Sequence, residues 1–251
     1  MTCELRRAAI AIKLPPVELE HLPDAPLQLA LAQVRFAPIY ALEQPGSVAE
    51  FQKCLGKRYV AQEVPRAPAK GQAGAGSSTW LFRDGERGWT VSITSTSLGL
   101  EAGAYVDFDD FAGELKQVLR NLEQIFEPQT EVRLGVRYIN RIEDERLPKR
   151  GIAFFVNEQL AGPVGKGLGN ELQHSLCELR FRERGAWLVL RHGLIEPTTY
   201  LLDFDHFVEG ERDFSPNEIV QRVNRFHALI ERLFVWALSE RYLNELKGRP
   251  R

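Results

Sequence analysis

Glu131-Val132-Arg133-Leu134-Gly135-Val136-Arg137-Tyr138-Ile139-Asn140-Arg141-Ile142 alternates between two characters. One parity carries Val132, Leu134, Val136, Tyr138, Asn140 and Ile142. The other carries Arg133, Gly135, Arg137, Ile139 and Arg141. Period two is the signature of a β-strand, whose successive side chains point to opposite faces. An apolar parity opposite an arginine-bearing one predicts a sheet with one buried face and one open face.

Working outward, Val136-Arg137-Tyr138 matches Val34-Arg35-Phe36, 102 residues earlier. Arg184-Gly185-Ala186-Trp187 resembles Arg87-Gly88-Trp89 at an offset of 98, Trp to Trp. Tyr200-Leu201-Leu202-Asp203-Phe204-Asp205-His206-Phe207 resembles Tyr105-Val106-Asp107-Phe108-Asp109-Asp110-Phe111 at an offset of 95. Three matches in one order, with a slowly drifting offset, point to an internal duplication.

Periodicity gives both halves the same element order. The first half reads as a strand at 27–39, a short helix at 48–55, strands at 80–83 and 89–100 around an Asp84–Gly88 turn, and a helix at 111–126. Asp109 or Asp110 caps that helix, and Leu115, Val118, Leu119, Leu122, Ile125 and Phe126 form its apolar stripe. The second half reads as a strand at 132–142, a short piece at 153–160, a hairpin of 172–183 and 186–195 around Arg184-Gly185, and a strand at 200–208. A long helix then opens at Ser215-Pro216-Asn217-Glu218. Its stripe is Ile219, Val223, Phe226, Ile230, Leu233, Phe234, Ala237 and Leu238.

The fold class expected is α+β. Tandem β-α-β-β-β-α repeats form a mostly antiparallel sheet with the long helices on one face, a TATA-binding-protein-like saddle by analogy of fold alone. Residues 1–24 are a poorly ordered lead-in, 25–128 the first repeat and 129–247 the second, packed with the first as one unit.

Composition narrows the function. The 251 residues are 44% hydrophobic and 26% charged, with a formal charge of −2. That balance excludes a whole-chain polycation and an acidic disordered tail, while leaving room for a local basic face. No apolar run approaches the roughly 18–20 residues of a membrane span, so no membrane partner is expected. Arg6-Arg7 with Ala8–Ile12 falls short of the apolar core of a signal peptide. Cys3, Cys54 and Cys177 are odd in number and far apart, which fits a reducing cytoplasm. The segments 65–79 and 162–170, rich in Gly with Ala, Ser and Pro, are loose, and they fall at the same place in each repeat.

The candidate binding residues are Arg133, Arg137 and Arg141, with Arg35 in the matching place of the first repeat and Arg180 and Arg182 on the hairpin, which also carries Arg191. Alternate strand residues lie roughly 6.5–7 Å apart, close to phosphate spacing, so such arginines can track a nucleic-acid backbone, with Gly135 allowing close approach. The competing reading pairs them with Asp107, Asp109, Asp203 and Asp205, or has them simply solvate the sheet. The two Asp-Phe-Asp triplets place paired carboxylates on a strand face, where a metal could accept them, or serve as helix caps. His21, His174, His192, His206 and His227 show no metal-ligand spacing. His227 reads as a packing histidine, and His206 could pair with a carboxylate. Lys166 sits in a Gly-rich loop lacking the Ser or Thr of a phosphate loop. Trp80, Trp89, Trp187 and Trp236 read as core. No catalytic residue, metal ligand or cofactor is assigned.

Arg133-Leu134-Gly135-Val136-Arg137-Tyr138-Ile139-Asn140-Arg141-Ile142, an RxGxRYxNRI strand, resembles the signature of a sporadically distributed bacterial family of uncharacterised proteins. Ala25-Pro26-Leu27 leading into Val34-Arg35-Phe36, and the closing Asp203, His227 and Phe234, resemble that family's ends. The resemblance spans roughly 22–247. It implies no established activity, and frequent company of mobile or antiviral-defence genes.

The function expected is a non-enzymatic binding or accessory module, antitoxin-like or defence-associated. It would engage a protein partner, a second copy of itself as a homo-oligomer, or a nucleic acid through the arginine-bearing face. The alternative is a metal-dependent enzyme acting on phosphorylated or nucleic-acid substrates through Asp203 and Asp205.

Overall fold

A computed structural model describes residues 12, 14, 22, 24–64, 79–166 and 172–248. Most of the expected lead-in, with Cys3 and His21, lies outside the described residues, as do 65–78 and 167–170 of the two loose segments. Within them the chain is α+β. Nine strands form one open sheet in the order β2-β3-β4-β5-β1-β6-β9-β8-β7, accompanied by six helices. The strands are β1 (Leu27–Phe36), β2 (Val60–Val64), β3 (Thr79–Asp84), β4 (Trp89–Thr94), β5 (Ser97–Ala102), β6 (Thr130–Glu143), β7 (Cys177–Glu183), β8 (Ala186–Glu196) and β9 (Thr199–Asp213). The helices are α1 (Pro45–Leu55), α2 (Phe108–Phe126), α3 (Leu147–Arg150), α4 (Glu158–Ala161), α5 (Pro216–Ala237) and α6 (Glu240–Leu246). The chain forms two compact units: unit 1 is 1–28, 138–206 and 226–251, and unit 2 is 29–137 and 207–225.

In unit 2, β1 pairs antiparallel with β5, β5 with β4, β4 with β3 and β3 with β2. Registers such as Val34↔Leu98 and Leu100↔Val91 line up one buried parity: Ala32, Val34, Val91, Ile93, Leu98 and Leu100 are all inaccessible. Helices α1 and α2 cover this parity. Phe51 of α1 meets Phe82 edge-on at 5.6 Å, and Phe111 of α2 stacks on Trp89 at 5.9 Å. The expected α2 stripe is buried at Leu115, Val118, Leu119 and Leu122 and half-buried at Ile125 and Phe126. The opposite parity carries Gln33, Arg35, Ser92, Thr94, Ser97 and Gly99, all outside the core except the tightly fitted Gly99.

The structure departs from three expectations. Residues 89–100 are two strands, because Ser95-Thr96 makes a tight turn that Thr94 Oγ1 and Ser97 Oγ close at 2.8 Å. The strand β2 is additional. The helix α2 begins at Phe108, capped by Asp107, whose side chain accepts from the Asp110 N–H at 2.8 Å, rather than by Asp109 or Asp110.

In unit 1, β7 and β8 form a hairpin whose two-residue loop, Arg184-Gly185, has both φ values positive, at 48° and 88°. That is the twist-matched I′ turn. Helix α5 contributes to both units, and all eight residues of its expected stripe are buried. In unit 1 its Phe234 packs edge-on against Phe204 of β9 at 6.3 Å. The piece at 153–160 is a 3-10 turn (Ile152–Phe154) and α4, while β7 starts at Cys177 and β9 runs on to Asp213. Gly193 sits at φ 154°, and a Cβ there would lie 2.0 Å from the Ser175 carbonyl oxygen, so no side chain fits. Among the described residues no helix is long and apolar enough to cross a membrane.

Candidate functional site: an arginine-bearing sheet face

The parity reading of β6 holds from Leu134 onward except at Gly135, which is buried. Leu134, Val136, Tyr138, Asn140 and Ile142 are buried, while Arg133, Arg137, Ile139 and Arg141 are half-exposed. At the start of the strand the pattern slips: Glu131 is buried, and Val132 and Arg133 are half-exposed in succession. Glu131 receives a two-pronged ion pair from Arg222 of α5, with Nη2 donating to Oε2 at 2.7 Å and Nη1 to Oε1.

The six candidate arginines divide between the units. Unit 2 holds Arg35, Arg133 and Arg137. Arg133 lies over Phe207 of β9, its guanidinium carbon 4.5 Å from the ring centroid. The same guanidinium covers Gly135, where a Cβ would stand 2.9 Å from Nη1. The close approach that Gly135 permits is therefore that of Arg133 itself. Arg137 is half-exposed and already engaged in the fold. Arg35 is exposed opposite Ser97 and has no carboxylate partner among the described residues.

Unit 1 holds Arg141, Arg180 and Arg182, each braced from within the unit. Arg141 Nε is 3.3 Å from Glu143, and its Nη2 is 3.9 Å from Glu196. Arg180 donates to Glu178 at 2.7 Å, and Arg182 lies over the Trp187 ring at 4.3 Å. Arg191 joins the group, donating to Glu178 at 2.7 Å and to the buried Asp203 at 3.4 Å. Hydrogen bonds from Arg180, more than those from Arg191, hold the Glu178 carboxyl below its usual range. The expected aspartates account only for Arg191, through Asp203; the carboxylates beside Arg141 and Arg180 are glutamates. In unit 2 the outward parity carries Arg35, Arg133 and Arg137, the last two engaged within the fold, with Arg83 bonded to the neutral Gln62.

The two Asp-Phe-Asp triplets differ in structure. Asp107-Phe108-Asp109 is a helix start, not a strand, and Asp110 next to it pairs with Arg87 at 2.5 Å. Asp203-Phe204-Asp205 lies within β9, with Asp203 held by Arg191. Among the described residues no group of three or more His, Cys, Asp or Glu is placed to hold a metal ion.

Among the described residues His206 pairs with no carboxylate. It faces the core, stacked on Phe226 at 4.0 Å, with both ring nitrogens buried and with no side-chain partner among the described residues. Burial lowers its pKa to about 4. His227 packs as expected, its Nδ1 3.1 Å from the Tyr138 hydroxyl, and burial also lowers its pKa to about 4. His192 meets the Tyr200 hydroxyl at 2.8 Å and is shifted down by burial. Of the four tryptophans only Trp89 is fully in the core; Trp80, Trp187 and Trp236 are half-buried. Residues 162–166 around Lys166 form a 3-10 turn.

Sequence reasoning missed Phe207 as the support of Arg133 and Arg222 as the partner of Glu131. Both pairs are distant in sequence, and no local pattern signals them. No protein-family model matches the chain, and no curated protein matches it.

Proposed function

We propose that the chain is a non-enzymatic binding module whose open sheet face in unit 2 engages the phosphate backbone of a nucleic acid through Arg35, Arg133 and Arg137. The observation that carries this reading is the seating of Arg133 over Gly135 and Phe207 beside a sheet parity that also bears the exposed Arg35, which has no carboxylate partner among the described residues. A guanidinium already laid against a ring loses little freedom on binding, and its planar fork of N–H groups matches phosphate oxygens. Arg141, Arg180 and Arg182 have a braced, secondary role. The resemblance to a family found near mobile and defence genes supports an accessory, antitoxin-like or defence-associated role, and the scattered cysteines support a cytoplasmic setting. The metal-dependent alternative draws no support from Asp203, which Arg191 occupies.

We propose the internal duplication as the origin of this face. Omitting β2, the strand order β3-β4-β5-β1-β6-β9-β8-β7 is symmetric about β1 and β6, the opening strands of the two expected repeats. The saddle analogy belongs to the same proposal.

The test is fluorescence anisotropy of a labelled single-stranded oligonucleotide across a salt series. Three phosphate contacts give a log–log salt slope of about −2. The double charge reversal Arg133→Glu/Arg137→Glu abolishes binding without lowering the melting temperature by more than a few degrees, while Arg182→Ala leaves affinity within about twofold. Unchanged affinity in the double variant overturns the site. Capture of an acidic protein instead of the oligonucleotide, lost in the same variant, transfers the face to a protein partner.

A further inference from the structure

The strand β7 ends the sheet, and its backbone offers a pairing edge. The Ser175 N–H donates to the Leu194 carbonyl at 2.8 Å, in the register that continues Cys177↔His192 through Glu183↔Ala186. In an antiparallel ladder the residues that bond the neighbour alternate. The odd-numbered residues 175–183 therefore bond β8, and the N–H and C=O groups of Leu176, Glu178, Arg180 and Arg182 point away from the sheet. The side chains of Cys177, Glu178, Arg180 and Arg182 are exposed, and Leu176 is exposed by 57%.

We infer that this edge pairs antiparallel with β7 of a second copy, about a two-fold axis through Leu179. The order of charges selects both the occupant and the register. Outward-bonding residues must face one another, which leaves few alignments. Centred on Leu179, Glu178 of each copy faces Arg180 of the other, twice, and no like charges meet. Leu179 then faces itself, Cys177 faces Phe181, and Leu176 faces Arg182, whose aliphatic stem covers it. Centred on Arg180, the arginine faces its own copy. Centred on Phe181, Arg180 faces Arg182 twice. Centred on Glu178, the glutamate faces itself. Opposite-charge cross-strand pairs stabilise and like pairs repel, so one register stands out. The half-buried Leu179 and Phe181 would extend the apolar side of the ladder across the axis. This surface lies in unit 1 and does not depend on the face proposed for binding.

Sedimentation of the full chain tests it. The wild type forms a dimer. Arg180→Glu and Glu178→Arg each weaken the dimer by about tenfold or more, by turning two attractive pairs repulsive. The double swap Glu178→Arg/Arg180→Glu restores it. A second measurement reads the register. In a chain with Cys3, Cys54 and Cys177 changed to Ser, Leu179→Cys stands opposite itself at a non-hydrogen-bonded pair and cross-links under mild oxidation, whereas Arg180→Cys does not. A monomeric wild type, a dimer indifferent to both single reversals, or equal cross-linking at the two positions overturns the inference.

Discussion

Glu131 and Arg222 show how much one residue can decide. Their side chains are 1% and 11% exposed, and they are joined by two hydrogen bonds between β6 and the first half of α5. A charge held this far from water is tolerated only while its partner stays in place. Glu131→Gln should therefore destabilise the fold by about 3–5 kcal/mol, read by urea denaturation. The apolar double variant Glu131→Leu/Arg222→Met should recover most of that loss, and an additive loss instead would show that the pair is not the source. Gly135 makes the complementary case. A methyl there presses on the mobile end of Arg133, not on backbone, so Gly135→Ala should keep the fold within about 1 kcal/mol. It should also displace Arg133 from Phe207 and lower oligonucleotide affinity several-fold, which the same anisotropy titration measures. The glycine's significance was legible in the sequence, because a residue without a side chain among alternating arginines marks a close approach. What approaches was not legible, because Phe207, which fixes Arg133 from the other side, lies on another strand.

Among elements, the long helices could be read and the short strands could not. Helix α5 repeats apolar residues with the helical period over its whole length, and every residue of that stripe is buried. β2 has only five residues and takes its place from pairing with β3, a relation absent from its own pattern. The turn at Ser95-Thr96 carries no Gly or Pro, so 89–100 read as one strand; the hydroxyl contact that closes it is a tertiary detail. The Asp-Phe-Asp triplets make the same point: one tripeptide starts a helix at 107 and continues a strand at 203. Their substitutions should differ accordingly. Asp107→Ala removes an accepting cap and should cost about 1 kcal/mol, seen as a lower thermal midpoint. Asp109→Ala, exposed in the first turn, should cost at most a few tenths through the helix dipole. If the two cost the same, Asp107 is not the cap. The candidate arginines were legible as a parity on β6. The carboxylates two residues along the same strands, Glu143 beside Arg141 and Glu178 beside Arg180, were legible too, whereas the reach of Glu196 to Arg141 was not, because it lies on another strand.

At the scale of the whole molecule, titratable histidines are distributed unevenly: the four among the described residues lie in unit 1 and none in unit 2. Three of them, His192, His206 and His227, are held neutral by burial, with His206 and His227 lowered to about 4. An unfolded histidine takes up its proton near pH 6.5. Between that value and about 4 the unfolded chain binds protons that the folded chain does not, so stability is full above pH 6.5 and falls as the pH drops. For His206 and His227 the loss is on the order of 2–3 kcal/mol each by pH 4. Glu231, raised by burial, works in the opposite direction and offsets part of it. The acid response should thus begin in unit 1. Hydrogen exchange at pH 7 and pH 5 should show the β7–β8 hairpin losing protection at the lower pH, while β3, β4 and β5 of unit 2 change little. His206→Phe places a ring of similar shape on Phe226 without titrating nitrogens, and it should flatten the pH dependence of stability while leaving stability at pH 7 equal or higher. A simultaneous loss of protection in both units would mean that they open as one cooperative body, with the acid response spread over the whole chain.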